Sequence, residues 1–432
     1  EAWQNKGVPT KPCFVGLNRA FATPSVARGR SPRAALLLVL LTGFLVTACV
    51  ESLQIFLPNR TANVSDMIAN TLGAAAGLVC FRAWQGRQAL SRLARARLVP
   101  RNIAVVFGVY SFLVLFLVWA LMRGMLPGGW DTTYRLALGN EVTKDRPWQG
   151  TVENLLVLDR AVDEAGAAQL LAGAMPLALN DSVVAEYPLQ GKTGLQDQRR
   201  GLPDLVSQTT EMPEFRPNGV ALEKGSWLAT ESSVRPLADR INTSRQFTVA
   251  ITAETLDLTQ TGPARIVTVS KDPFHRNLTL GQAGTALALR WRSPLTGENG
   301  TTPELQFPGV FSSFEPQRVV ITCDGIRARL YTIGGKADQS VFLGPEVGFA
   351  AVLRESSYWP VKAGRSAFWQ SALLLSALIF LPLGLLLGTS VAVAERRRNP
   401  ASLIVGGLFL PVLLLEGFIA WHRSCGLRLE MI

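Results

Sequence analysis

"RVVITCDGIRARLYTIGG", residues 318–335, decides how the middle of this chain is read. Val319, Ile321 and Cys323 occupy alternate positions and so share one face of an extended segment. Asp324-Gly325 follows as a turn dipeptide, and "IRARLYTIGG" returns at hairpin spacing before ending in Gly334-Gly335. A period of two on both sides of such a turn predicts a β-hairpin. The pattern repeats upstream. "FTVAITAE" places Phe247, Val249 and Ile251 together. "ALALRWR" places Leu287, Leu289 and Trp291 on one face, with Arg290 and Arg292 on the other. "ARIVTVS" and "NLTLGQ" add two more strands. Regularly spaced short strands and turns predict an all-β sandwich over residues 124–366.

Outside those limits the pattern changes. The chain has 432 residues, 48% of them hydrophobic and only 17% charged, which is apolar for a soluble protein. Runs at 35–57, 66–84, 103–122, 367–390 and 401–421 carry almost no charge. Each is about as long as the roughly 17–25 residues that cross a bilayer as a helix. None has the make-up of a cleaved signal peptide, and the opening Glu1 leaves room for upstream residues.

The net charge of +11 is concentrated near these runs. Arg28, Arg30 and Arg33 precede the first. Arg82, Arg87, Arg92, Arg95, Arg97 and Arg101 crowd the stretch before the third. Arg396, Arg397 and Arg398 separate the last two. A positive-inside bias explains the charge, so no nucleic-acid partner is expected. With all three clusters in one compartment, the expected fold is an α-helical membrane bundle of about five transmembrane helices plus an extracytoplasmic jelly-roll sandwich. The expected parts are a cytoplasmic segment at 1–33, three spans within 34–123, the sandwich at 124–366 and two spans in 367–432. Five scattered cysteines and two histidines, His275 and His422, offer no metal or triad spacing, and neither metal nor cofactor is expected. Six Asn-x-Ser/Thr triplets are no more than the composition produces, and no glycosylation is read from them.

"FTVAITAETL", "GPARIVTVSKDPFHRNLTLGQ" and "RVVITCDGIRARLYTIGG" together resemble the laminin-G-like, concanavalin A-type jelly rolls of bacterial surface proteins. Tyr134–Gly173 resembles the closing part of such a domain, yet here it comes first. Either the jelly roll is circularly permuted, with Tyr134–Asp159 completing a sheet built by 222–345, or the segment is a remnant of a second domain. A piece of about 40 residues cannot bury a core alone, which favours permutation. Residues 187–222 read as a long loop. The resemblance implies sugar binding or hydrolysis. Related glucanases carry Glu-x-Asp-x-Glu on one strand, a run absent here, so no catalytic residue is assigned. Trp291, Tyr331 and Trp148, or polar residues near Asp272, His275 and Arg276, are candidates for sugar contact. Trp291 and Trp148 are expected to pack within the sheets, and residues 272–277 to form a turn with His275 solvated.

A second resemblance lies at residues 51–79. Glu51 and Gln54 sit one helical turn apart, Pro58 ends that helix, Arg60 follows, and Asp66 opens the next helix, with Asn70 on the same face. Gly73 and Gly77 form a Gly-x-x-x-Gly packing pattern. These elements resemble the VanZ-like family, which implies a small multi-span membrane protein. Polar groups at such a depth need partners. Two readings of Glu51, Gln54, Arg60, Asp66 and Asn70 stand: a latch that fixes the re-entry turn, or a pocket for a lipid-linked or peptidoglycan-type headgroup. Glu416 is a further candidate for the same site. Pro382 and Pro411 are expected to kink their helices.

The expectation is therefore a bacterial inner-membrane protein, multi-pass, in contact with membrane lipids, that presents a lectin-like domain outside and recognises envelope glycan or a lipid-linked precursor. The alternative is a non-catalytic accessory subunit that docks onto other membrane proteins. A hydrolase or transferase ranks last, for want of paired carboxylates and histidines.

Overall fold

The computed structural model describes residues 100–394, apart from 211, 224, 334–338, 355–357 and 364–367, together with 414–415 and 417–418. The elements in chain order are α1 (Pro100–Met125), β1 (Arg135–Leu138), β2 (Gly150–Leu158), α2 (Glu164–Leu171) and β3 (Val183–Tyr187). Next come β4 (Leu205–Ser207), β5 (Glu214–Arg216), β6 (Gly219–Leu222), β7 (Leu228–Thr230), α3 (Arg235–Ser244), β8 (Phe247–Thr255), β9 (Ala264–Asp272), β10 (His275–Ala283) and β11 (Ala286–Trp291). β12 (Glu304–Phe307), β13 (Gln317–Cys323), β14 (Arg327–Thr332), β15 (Gln339–Phe342), α4 (Pro345–Arg354), β16 (Pro360–Lys362) and α5 (Trp369–Ala394) complete them.

The strands form two sheets. The first runs β16-β12-β11-β10-β9-β1-β7-β4, and the second β15-β14-β13-β8-β2-β6-β5 with β3 also paired to β2. Alternation drives their packing. Leu136, Leu138, Val267, Val269, Leu278, Leu280, Leu289 and Trp291 leave the first sheet on one side. They meet Val152, Val157, Phe247, Val249, Ile251, Val319 and Ile321 from the second. The hairpin of residues 318–335 forms as β13 and β14, with Cys323 opposite Ala328 across the Asp324-Gly325 turn. β1 pairs with β9 and β7, and β2 with β8, β6 and β3. The segment 134–159 thus lies inside both sheets and is no separate domain. The outer face of the second sheet is closed by α2, which packs Ala167 and Leu170 over Val320 and Tyr331.

Residues 187–222 contain β4, β5 and β6 rather than an unbroken loop. These strands are three or four residues long, too short to show a period. The turn before them is organised by Asp197, whose buried carboxylate accepts from the amides of Glu186, Arg199, Gly201 and Leu202.

The expected bundle of about five transmembrane helices is corrected by the structure. Among the described residues one helix, Val105–Met125 within α1, is long and apolar enough to cross a membrane. The apolar part of α5, Gln370–Leu386, is shorter. Leu375, Ile379 and Leu383 of α5 are buried against Val114, Val118, Leu121 and Met122 of α1, and α4 packs beside both helices. An apolar run records apolar surroundings, and a neighbouring helix provides them as lipid does. The runs 35–57 and 66–84, and nearly all of 401–421, lie outside the described residues. So do Pro411 and the proposed segment 1–33, whereas Pro382 lies inside α5.

α1 is fastened to the sandwich. The carbonyls at its C-terminus, left without partners by the helix, accept from the sandwich. The Leu295 amide donates to Gly124 O (2.9 Å) and the Trp291 indole N–H to Met125 O (3.3 Å). Val105, Val106, Val109, Phe112, Leu113 and Phe116 are more than half exposed, as an apolar stripe facing lipid would be.

Candidate functional site

The outer face of the first sheet is polar. On β9, Arg265, Thr268 and Ser270 point away from the core, and β10 and β11 set Thr279, Arg276 and Arg290 beside them through the pairs Thr268–Thr279, Ser270–Arg276 and Thr279–Arg290. β12 adds Glu304 and Gln306 next to β11. The loop after β1 folds back to place Glu141 over this face. All of these residues are buried, although Gln306 only just.

Two ion pairs organise the face. Arg265 Nε donates to Glu141 Oε2 at 3.1 Å, and both side chains are almost fully buried. Glu141 Oε1 also accepts from the Ser270 hydroxyl. Arg290 Nε donates to Glu304 Oε2 at 2.6 Å, and the other Glu304 oxygen accepts from Gln306 Nε2 (2.7 Å) and the Tyr358 hydroxyl (3.0 Å). The Arg290 guanidinium lies 5.7 Å from the centre of the Tyr358 ring, within cation–π reach. Both carboxylates are committed to arginine. Burial, then the charge of Arg290, pulls Arg265 down to about 10. Burial, then Arg265 and Arg290, pulls Arg276 down to about 8. Arginine remains the cation at neutral pH.

A cavity of about 560 Å³ opens over this face. Arg265, Arg290, Gln306, Asn299 and Thr301 form polar parts of its wall, and Phe274, Tyr358 and Arg146 also line it. Among the described residues, Phe274 and Tyr358 are large rings left 65% and 58% exposed. Asn299 Oδ1 is buried without a hydrogen-bond partner. The size falls within the roughly 300–1,000 Å³ of small-ligand sites. Among the described residues no group of His, Cys, Asp and Glu has the arrangement of a metal site.

The sugar-contact candidates divide. Trp148 and Trp291 are fully buried, each with its indole N–H bonded inside the fold, to Gln282 Oε1 and Met125 O. Tyr331 is buried beneath α2. Asp272 organises the tight turn between β9 and β10, accepting from the amides of Phe274 and His275, with His275 Nδ1 2.8 Å from its carboxylate. The expected turn is therefore confined to Pro273 and Phe274, and His275, Arg276 and Asn277 belong to β10. Glu141, Arg265, Glu304, Phe274 and Tyr358 escaped sequence reading. They come from two strands and three connecting segments, and only the off-phase Arg in "ALALRWR" hinted at a charged outer face. Glu51, Gln54, Arg60, Asp66, Asn70, Gly73, Gly77 and Glu416 lie outside the described residues.

No curated protein and no solved structure matches the chain. A family model described as VanZ/LLP1 matches residues 13–85, ahead of α1 and the sandwich, and does not extend into either. Residues 13–85 are therefore similar to the VanZ/LLP1 family, and that similarity together with the apolar helix α1 points to membrane association.

Proposed function

We propose that the protein is a non-catalytic receptor of the bacterial cytoplasmic membrane that holds its sandwich on the extracytoplasmic side and recognises an envelope glycan or the headgroup of a lipid-linked precursor. The observation that carries this reading is the cavity on the outer face of the first sheet, with two exposed aromatic rings and the unpartnered Asn299 acceptor. Ring faces stack on sugars, and a buried amide oxygen accepts a hydrogen bond from a sugar hydroxyl. The laminin-G-like resemblance of the strands agrees with it. Placement rests on the arginines at 82–97 before α1 and on Arg101 in its first turn, which favour a cytoplasmic N-terminal end for that helix. Rigid attachment of the sandwich to α1 would hold the cavity at a fixed height above the bilayer. The polar cluster at 51–70 is proposed to face the same side, as latch or headgroup pocket.

The test is calorimetric titration of the full chain in mild detergent with peptidoglycan fragments and envelope oligosaccharides. Binding that weakens at least tenfold in both Phe274→Ala and Tyr358→Ala is expected. Absence of binding to every glycan overturns the reading. Co-purification of the same chain with another membrane protein would then favour the accessory-subunit role.

A further inference from the structure

Arg276 projects from β10 on the outer face of the first sheet, opposite Ser270. Its side chain is wholly buried, and Nε, Nη1 and Nη2 all lack a hydrogen-bond partner. Such an arginine is anomalous, because a buried charge without a partner costs several kcal/mol. Its neighbours show what is missing. Arg265 has Glu141 and Arg290 has Glu304, whereas those two acids are already occupied by Ser270, Gln306 and Tyr358 besides. Three guanidiniums therefore share two carboxylates, leaving the cluster one positive charge in excess. Arg265 and Arg290, the two cations adjacent to Arg276, both form part of the cavity wall.

We propose that the cavity takes an acidic sugar, whose carboxylate or phosphate oxygens are received by the Arg276 cluster while its ring lies against Phe274 or Tyr358. A single negative charge balances the cluster, and its oxygens supply acceptors that a planar guanidinium engages in pairs. A sugar hydroxyl donates to Asn299 Oδ1. This deepens the glycan reading and rests on it for the ring, but not for the anion.

The experiment uses the full chain in detergent and two matched ligand pairs. One is a uronic-acid oligosaccharide and its carboxyl-reduced form, the other a glycosyl phosphate and its dephosphorylated form. At least one acidic member is expected to bind tenfold or more tightly than its neutral partner, and the pair that discriminates names the source of the anion. Arg276→Met is expected to abolish that preference, and Arg276→Lys to retain part of it. Thermal unfolding with inorganic phosphate or sulfate supplies an independent readout. Either anion should raise the melting temperature of the wild type and leave Arg276→Met unmoved. Without anion, Arg276→Met should melt at or above the wild-type temperature, since it removes an uncompensated buried charge. Equal binding of acidic and neutral sugars overturns the acidic-ligand inference and leaves the glycan reading standing. Anion stabilisation without any glycan binding overturns the sugar, and with it the glycan reading, and leaves an anion site alone. A large fall in the anion-free melting temperature of Arg276→Met would make the residue structural and overturn the inference.

Discussion

The Glu141–Arg265 pair provides a sharp test of how the polar face is held. Replacing Glu141 by Gln keeps the shape but removes the charge that faces Arg265, in a place where the two side chains are 0% and 1% exposed. Removing one partner of a buried ion pair typically costs about 3–5 kcal/mol, because the survivor stays desolvated. The upper half of that range is expected here. Arg265 already sits beside two other guanidiniums, and Ser270 loses a charged acceptor at the same time. At roughly 2–4 °C per kcal/mol for a domain of this size, the melting temperature should fall by roughly 8–20 °C. The measurement is thermal unfolding of the full chain in detergent, followed by near-ultraviolet circular dichroism. The double variant Glu141→Leu/Arg265→Met removes both charges together and should recover most of the loss, to within about 2 kcal/mol of wild type. A fall below about 1 kcal/mol for Glu141→Gln would refute the reasoning, since it would mean that water reaches the pair.

Two further predictions concern the hairpin that opened the sequence. Gly325 has φ +74°, and a Cβ there would stand 2.5 Å from the backbone of Leu126 at the end of α1. Gly325→Ala should therefore cost more than the about 1–2 kcal/mol of a left-handed conformation, and protease should cut more readily between α1 and the sandwich. Asp324 accepts from the amides of Ile326 and Arg327, and burial raises its carboxyl above the usual 3.8. A raised folded-state value means a contribution that is present below the unfolded value and lost as pH rises through the folded one. Asp324→Asn keeps an acceptor without the charge. Its stability relative to wild type should grow as pH climbs from about 3.8, and a constant difference across a pH series of urea unfolding would contradict the assignment.

The strands of the sandwich were legible because a half-buried strand writes its own period. Phe247, Val249 and Ile251, or Val319, Ile321 and Cys323, must alternate to reach one core, and each set does so. β4 and β5 left no such trace, being three residues long at the margins of their sheets. Helical spans were over-read for the opposite reason. Composition marks α5 as apolar without saying whether lipid or α1 covers it, and the contact with α1 decided that for Leu375, Ile379 and Leu383. What the sequence determined by itself is local: alternation, turns, and where arginines gather. What only the tertiary structure decided is the site. Glu141, Arg265, Arg276, Arg290 and Glu304 lie up to 163 positions apart along the chain, from Glu141 to Glu304. Their meeting depends on the order in which β9, β10, β11 and β12 pair, and on the loop that folds Glu141 over them. Strand order comes from the packing of the whole core, which no local stretch encodes, so a charge balance of three cations to two anions exists only once the sheet has formed.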